Sequence, residues 1–287
     1  MKISTEIASA ARLIGEQKAI ELYAKAGFDA WDFSMFSMCR YDWTSGKCLE
    51  NNHPLSGNQY LQFARELKQI GLDNGISCNQ SHAPFPVSCS EIRSYLKRAI
   101  ECTAEAGGEI CVIHPDNNKT PEENAELYLE LLPFAKEFNV KIATENMWNW
   151  DSEAGHSTFA ACATGESFCM HLDVVNDPYL VACLDLGHAE MLGSGTGAVN
   201  MIRDLGPRLQ ALHIHDNDQL NDSHQIPFSM KMDFDAIVKA LKDIGYSGYL
   251  TLEADQYLKS FDADNVFDGM KDLSAAAKKL SDMFENL

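Results

Sequence analysis

Short apolar blocks alternate with longer amphipathic segments eight times along this chain, and that alternation restricts the fold more than any other feature. The blocks cover residues 2–6, 30–36, 77–82, 109–114, 140–146, 180–186, 209–215 and 248–254. Several are compact and largely apolar, such as Ile110-Cys111-Val112-Ile113 and Tyr249-Leu250-Thr251-Leu252, as expected of parallel strands covered on both faces. Helical patterns run between them. Residues 16–26, 60–70, 90–106 and 233–244 are each followed by a glycine (Gly27, Gly71, Gly107, Gly245), where a helix would close. Thr120-Pro121-Glu122-Glu123 opens a further helix with a cap, a proline and first-turn acids. A long amphipathic segment, 266–284, ends the pattern. Eight β-then-α units of about 36 residues predict an α/β fold, a single (β/α)8 TIM barrel. A doubly wound open sheet would carry a glycine-rich first turn, whereas Ser4-Thr5-Glu6 closes the first block and no GxGxxG or Walker motif occurs. No Pro-, Gly- or Ser-rich linker divides the chain, so residues 1–287 are expected to form one domain.

Charge narrows the function. The chain has 23 basic and 42 acidic residues, net −19, and only seven arginines with no basic cluster. Such a surface repels nucleic acid and anionic membranes. The nine cysteines (39, 48, 78, 89, 102, 111, 162, 169 and 183) are odd in number, irregularly spaced and without a CxxC pair. That excludes a disulfide framework or thiolate zinc site as the reading of the pattern, and places the chain in a reducing compartment. The opening MKISTEIASAARLIGEQ lacks the apolar run of a signal peptide, and no apolar stretch of about 18 residues occurs. A cytoplasmic protein, with homo-oligomerisation left open, is the expectation.

The ionisable residues fall in one place in the pattern. His82, His114, Glu145, Asp185, His213 and Glu253 stand at or just beyond the C-terminal ends of blocks three to eight, with His188 three residues past Asp185 and Asp222 and His224 in the loop after block seven. Barrel enzymes assemble their sites on that rim. Each residue alone also reads as an ordinary strand-end or turn group. Together, three carboxylates aimed into one barrel mouth would repel, and a divalent cation removes the repulsion. His213 and His215 share a strand face, so either reaches the mouth.

The stretches CLDLGH (183–188), LHIHDN (212–217), Leu252-Glu253 and residues 233–249 resemble the xylose-isomerase-like TIM barrels, a group that holds sugar and sugar-phosphate isomerases and epimerases, inosose dehydratases and endonuclease IV. The resemblance runs from the second block onward. It implies Glu145, Asp185, His213 and Glu253 as ligands of a divalent metal (Mn2+, Zn2+, Co2+ or Mg2+), with His213 preferred over His215 as the residue in hydrophobic-His-x-x-Asp. His215 is then expected to support the ligands from behind or to pack. It further implies His82, His114, His188, Asp222 and His224 as ligands of additional ions or contacts of substrate. Two departures stand out: the loop 226–234 lacks the Pro-Gly-x-Gly turn usual there, and Asp218-Gln219-Leu220 replaces an arginine common in the epimerases. Lys231 is then the only nearby cation.

The chemistry so implied is isomerisation or epimerisation of a small sugar, keto-sugar or sugar phosphate through a metal-bound enediolate. Glu145 and Glu253 serve as ligands and as the paired bases that remove and return a proton on opposite faces. His188, Trp148 and Lys231 are the expected substrate contacts. Three alternatives stay open: a metal-dependent dehydratase, a trinuclear-zinc phosphodiester hydrolase like endonuclease IV, and a non-catalytic sugar-binding barrel.

Overall fold

The computed structural model describes residues 1–287. Its twelve strands are β1 (Ile3–Thr5), β2 (Ala30–Ser34), β3 (Arg40–Asp42), β4 (Lys47–Leu49), β5 (Ser77–His82), β6 (Ile110–Val112), β7 (Lys141–Glu145), β8 (Asn149–Asp151), β9 (His156–Thr158), β10 (Leu180–Asp185), β11 (Leu209–His213) and β12 (Leu250–Leu252). Eight of them are parallel and make up the barrel wall. Six pair continuously in the order β11-β10-β7-β6-β5-β2, while β1 pairs with β12. The ring closes through single bridges, Glu6 with Asp32 and Ile214 with Leu252. The remaining four form two antiparallel hairpins, β3–β4 and β8–β9, in the loops above β2 and β7.

Ten helices surround the strands: α1 (Ala8–Ile14), α2 (Glu16–Ala26), α3 (Tyr60–Asp73), α4 (Ile92–Ala106), α5 (Pro121–Glu137), α6 (Gly165–Val175), α7 (Leu186–Glu190), α8 (Ala198–Leu205), α9 (Phe234–Asp243) and α10 (Val266–Glu285). The TIM-barrel expectation holds, and all eight expected blocks contain a barrel strand. The helix start at Thr120 is a full capping box: its side chain accepts from the Glu123 N–H, and the Glu123 carboxylate accepts from the Thr120 N–H. Gly71, expected to stop α3, lies inside it instead. A Cβ there would come within 2.9 Å of the Ile76 carbonyl and 3.0 Å of the Trp31 indole, so the glycine serves close packing of α3 onto the sheet.

A contiguous core of 71 buried hydrophobic residues fills the space between strands and helices. Below the mouth the barrel interior is also polar: Ser4, Asp32, Asn79, Gln80 and Thr251 are joined by hydrogen bonds. No helix is long and apolar enough to cross a membrane.

Candidate active site at the barrel mouth

A cavity of about 800 Å³ opens at the C-terminal ends of the strands. The strands end there in His82 on β5, Glu145 on β7, Asp185 on β10 and His213 on β11, with Glu253 one residue past β12; His82, Glu145 and Glu253 line the cavity, and Asp185 and His213 are buried behind it. Parallel strands present these ends to one side of the sheet, so residues far apart in sequence converge.

Five overlapping groups of possible ligands result, and three of them together take in all the imidazoles and carboxylates concerned. His82 Nε2 lies 2.9 Å from His114 Nε2, and His114 Nε2 lies 3.1 Å from Glu145 Oε2. His213 Nδ1 faces Glu145 Oε1 at 3.1 Å and Glu253 Oε2 at 3.3 Å, with Asp185 completing that set. His188, His215 and His224 gather round Asp185 and Asp222: His215 Nε2 is 3.1 Å from Asp185 Oδ1, and His188 and His224 approach Asp222 at 3.3 and 3.1 Å. Glu145 joins the first group to the second, and Asp185 the second to the third.

The neighbourhood orients these donors. His82 Nδ1–H donates to the Ala83 carbonyl, His188 Nδ1–H to that of Asn146 and His224 Nδ1–H to that of Glu253, at 2.7–2.8 Å. Each leaves Nε2 pointing inward, the arrangement that fixes the tautomer of a ligating imidazole. Asn146 ties β7 to β10, since its side chain accepts from the Asp185 N–H and donates to the Asp185 carbonyl. Asp185 Oδ1 caps α7 by accepting the His188 N–H, which leaves Oδ2 buried without a partner. Asp216 is fully buried and accepts from the backbone N–H groups of Met230 and Met232, folding the loop that carries Asp222 and His224. Gly187 is required for a different reason: any side chain on it would fall inside the His215 ring.

The donor set fits a metal on two observations of this structure. Asp185 Oδ2 is buried without a hydrogen-bond partner, while Glu145 Oε2 and Asp222 Oδ1 meet imidazole nitrogens at 3.1 Å without hydrogen-bond geometry, and a buried carboxylate oxygen left so is costly unless a cation answers it. Two imidazole Nε2 atoms also face each other at 2.9 Å beside a carboxylate. Borderline divalent ions take this mixture of imidazole and carboxylate, with no thiolate needed.

Electrostatics separates the carboxylates. Burial raises Glu145, but the His213 and His114 imidazoles outweigh it and hold it well below the usual range. Burial and the Glu145 charge instead leave Glu253 raised, against the pull of His213 and His224. Burial would lower His188, yet Asp185 and Asp222 push it up to about 10. Cys183, beside Glu145 and His213, is pushed up to about 12 by burial and stays a thiol.

Every expected site residue except Lys231 lines this cavity or belongs to the three groups. Lys231 is exposed and lies outside the lining, and Arg12 is the only lysine or arginine in it. His215, expected to support the ligands or to pack, holds Asp185 Oδ1 at 3.1 Å and stands within the third group. Trp148 lines the wall with its ring 6.4 Å from His188, and Phe85 stacks on His114 at 5.0 Å. Glu6, Trp43 and Asp255 also line the cavity without having been singled out. Glu6, at the end of the first block, carried the same strand-end signal as the others.

Comparison with known proteins decides the lineage. The family described as xylose isomerase-like TIM barrel matches residues 20–280. The chain belongs to that family. An uncharacterized protein of Methanocaldococcus jannaschii is 26% identical over 255 residues, covering 82% of this chain and 78% of its own. A fructoselysine 3-epimerase of Escherichia coli O157:H7 is 43% identical over 49 residues, 17% of this chain and 18% of its own. Among solved structures, a D-tagatose 3-epimerase-like protein superposes with a TM-score of 0.71 at 20% identity, covering 100% of this chain and 99% of its own. An L-ribulose 3-epimerase does so with a TM-score of 0.72 at 16% identity, covering 100% and 95%. These structures share the fold of this family member.

Proposed function

We propose that the chain, as one catalytic unit of residues 1–287, is a divalent-metal-dependent isomerase or epimerase of a small sugar or keto-sugar. The observation that carries this reading is the meeting of two carboxylates from separate strands, Glu145 and Glu253, on one imidazole nitrogen of His213 at 3.1 and 3.3 Å. The epimerases among its structural relatives, and the local match to a fructoselysine 3-epimerase, support the substrate class.

Glu145, Asp185, His213 and Glu253 would hold the principal ion, and His82 with His114, or His188, His215, Asp222 and His224, could hold others. When bound, the cation would supply positive charge that acidifies the C–H beside a substrate carbonyl and stabilises the resulting oxyanion. Zn2+, Mn2+ and Co2+ suit the donor set better than Mg2+. Glu145, the carboxylate held ionised, accepts the proton. Glu253, the carboxylate whose proton is held more firmly, returns one. Such a pair moves a proton from one face of a carbon to the other. His188 binds a substrate hydroxyl, while Trp148 and Phe85 form apolar walls that exclude water.

The second reading, phosphodiester hydrolysis, is favoured by the three convergent donor groups and disfavoured by the net charge of −19. A panel of ketoses and sugar phosphates in deuterated water tests the first. Exchange beside the carbonyl is expected for at least one sugar, and its absence across the panel, with cleavage of an abasic duplex, would move the assignment to the hydrolase. Elimination of water from a substrate in the same panel would move it to the dehydratase.

A further inference from the structure

Three of the nine cysteines lie together beside the cavity. Cys39 follows the short turn Phe36–Met38, Cys48 sits in β4, and Cys89 lies in the loop between β5 and α4. Cys48 Sγ is 3.5 Å from Cys39 Sγ and 3.2 Å from Cys89 Sγ, so the sulfurs form a row with Cys48 in the middle. All three are free thiols; Cys39 and Cys89 are buried and Cys48 is half-buried. Burial pushes Cys39 and Cys48 up, which keeps both protonated and lets their sulfurs touch without charge repulsion.

Their place in the fold gives the row a meaning. Cys48 belongs to the β3–β4 hairpin, whose turn carries Trp43 to the cavity, and Cys89 ends the loop whose residues Phe85, Pro86, Val87 and Ser88 line it. The contact between Cys48 and Cys89 is therefore a junction between two segments of the rim. We propose that Cys48 and Cys89 form a reversible disulfide in the presence of a low-molecular-mass disulfide, fastening the hairpin to the β5–α4 loop at the cavity mouth.

Cys48, which has solvent access, loses its proton to water and its sulfur attacks one sulfur of the small disulfide, whose S–S bond breaks to release a thiolate. Cys89 then loses its proton and attacks the Cys48 sulfur of the mixed disulfide, releasing the second thiolate. Two protein thiols are oxidised to one disulfide, and one small disulfide is reduced to two thiols. Cys39 is the poorer partner on geometry. Arg40 pairs with Leu49 and Tyr41 with Cys48, so extending the register by one residue sets Cys39 opposite residue 50, diagonal to Cys48. Diagonal positions on paired strands stand about 7–8 Å apart, beyond the usual span between the Cα atoms of a disulfide.

The test uses the full-length protein and oxidised glutathione as the probe, followed by alkylation of free thiols and peptide mapping without reduction. A single Cys48–Cys89 cross-linked peptide is expected, with two fewer alkyl groups per chain, reversed by dithiothreitol. Its formation should accelerate about tenfold per pH unit between pH 7 and 9, following the thiolate fraction. The cross-link should disappear in Cys48→Ser and Cys89→Ser and persist in Cys39→Ser. A Cys39–Cys48 linkage, or Cys48 alkylated in full after oxidation, would overturn the proposal. Mapping of the unsubstituted protein decides between these outcomes whether or not the serine variants fold.

Discussion

Glu145 sits where two donor groups join, so its removal reaches both. Glu145→Gln keeps the shape and deletes the charge; metal content by elemental analysis should fall, and solvent exchange into the substrate should drop by about 10²–10⁴-fold. Glu253→Gln should cut exchange similarly, and exchange surviving in both variants would remove the two carboxylates from the reaction. Glu6 tests burial instead. Burial raises this carboxyl to about 7 from 4.5, against hydrogen bonds from the Ser9 N–H and hydroxyl. An acid with a raised folded pKa stays protonated in the fold while the unfolded chain ionises, so its penalty begins above pH 4.5 and is complete above about 7. Glu6→Gln should therefore gain stability relative to the unsubstituted protein across that window, by about 3 kcal/mol at its upper end. Denaturant unfolding at pH 4.5 and pH 8 measures it, and a gain independent of pH would exclude the titration. Most of the donor set was legible in the sequence because strand-end placement and residue chemistry coincide there. His215 was legible as a strand-face neighbour of His213, but not its contact with Asp185, which depends on how the chain turns after β11 ends at His213. Lys231 misled for the converse reason: closeness in sequence to the strand-seven loop carries no information on which way that loop folds around Asp216.

At the level of elements, strands and helices with a period were readable and the short irregular ones were not. The capping box at Thr120 is local chemistry, and the eight parallel blocks are announced by compact apolar runs between helical patterns, although their pairing is tertiary. The hairpins β3–β4 and β8–β9 have strands of three residues each, half-buried or exposed for the most part, with no apolar alternation to announce them. Gly71 was misread because a glycine at a helix end and a glycine under close packing look alike in sequence. Gly71→Ala distinguishes the two. A helix-closing glycine would lose little, whereas the 2.9 Å approach to the Ile76 carbonyl predicts a loss of about 1–3 kcal/mol in chemical denaturation. Secondary structure by circular dichroism should be unchanged, since alanine favours the helix itself.

For the whole molecule, the metal is expected to be part of the stability of the fold. Chelation should lower the melting temperature, and Zn2+ or Mn2+ should restore it, by linkage. Proton release should accompany loading. His188 in the metal-free protein is raised to about 10, so its attraction to Asp185 and Asp222 stabilises fully below its unfolded value near 6.5 and is lost as pH rises through 10. Ligation needs the neutral ring, so affinity should climb with pH over 7–10; calorimetry in buffers of different ionisation enthalpy counts the protons released. The barrel wall adds a mechanical consequence. Glu145, Asp185 and His213 stand on the continuous six-stranded sheet, whereas Glu253 follows β12, which belongs to the separate β1–β12 pair. The join between β11 and β12 rests on one isolated bridge, Ile214 with Leu252, and that between β1 and β2 on the bridge of Glu6 with Asp32 and one bond from the Asp29 N–H to the Ile3 carbonyl. An ion held by all four ligands is thus a rivet across a hinge line: it fixes how far apart the two proton-carrying carboxylates sit, and the barrel can loosen along those joins without unzipping a ladder. Amide hydrogen exchange at Ile214 and Glu253, whose N–H groups bond across the β11–β12 join, should slow more on metal addition than exchange within β7 or β10.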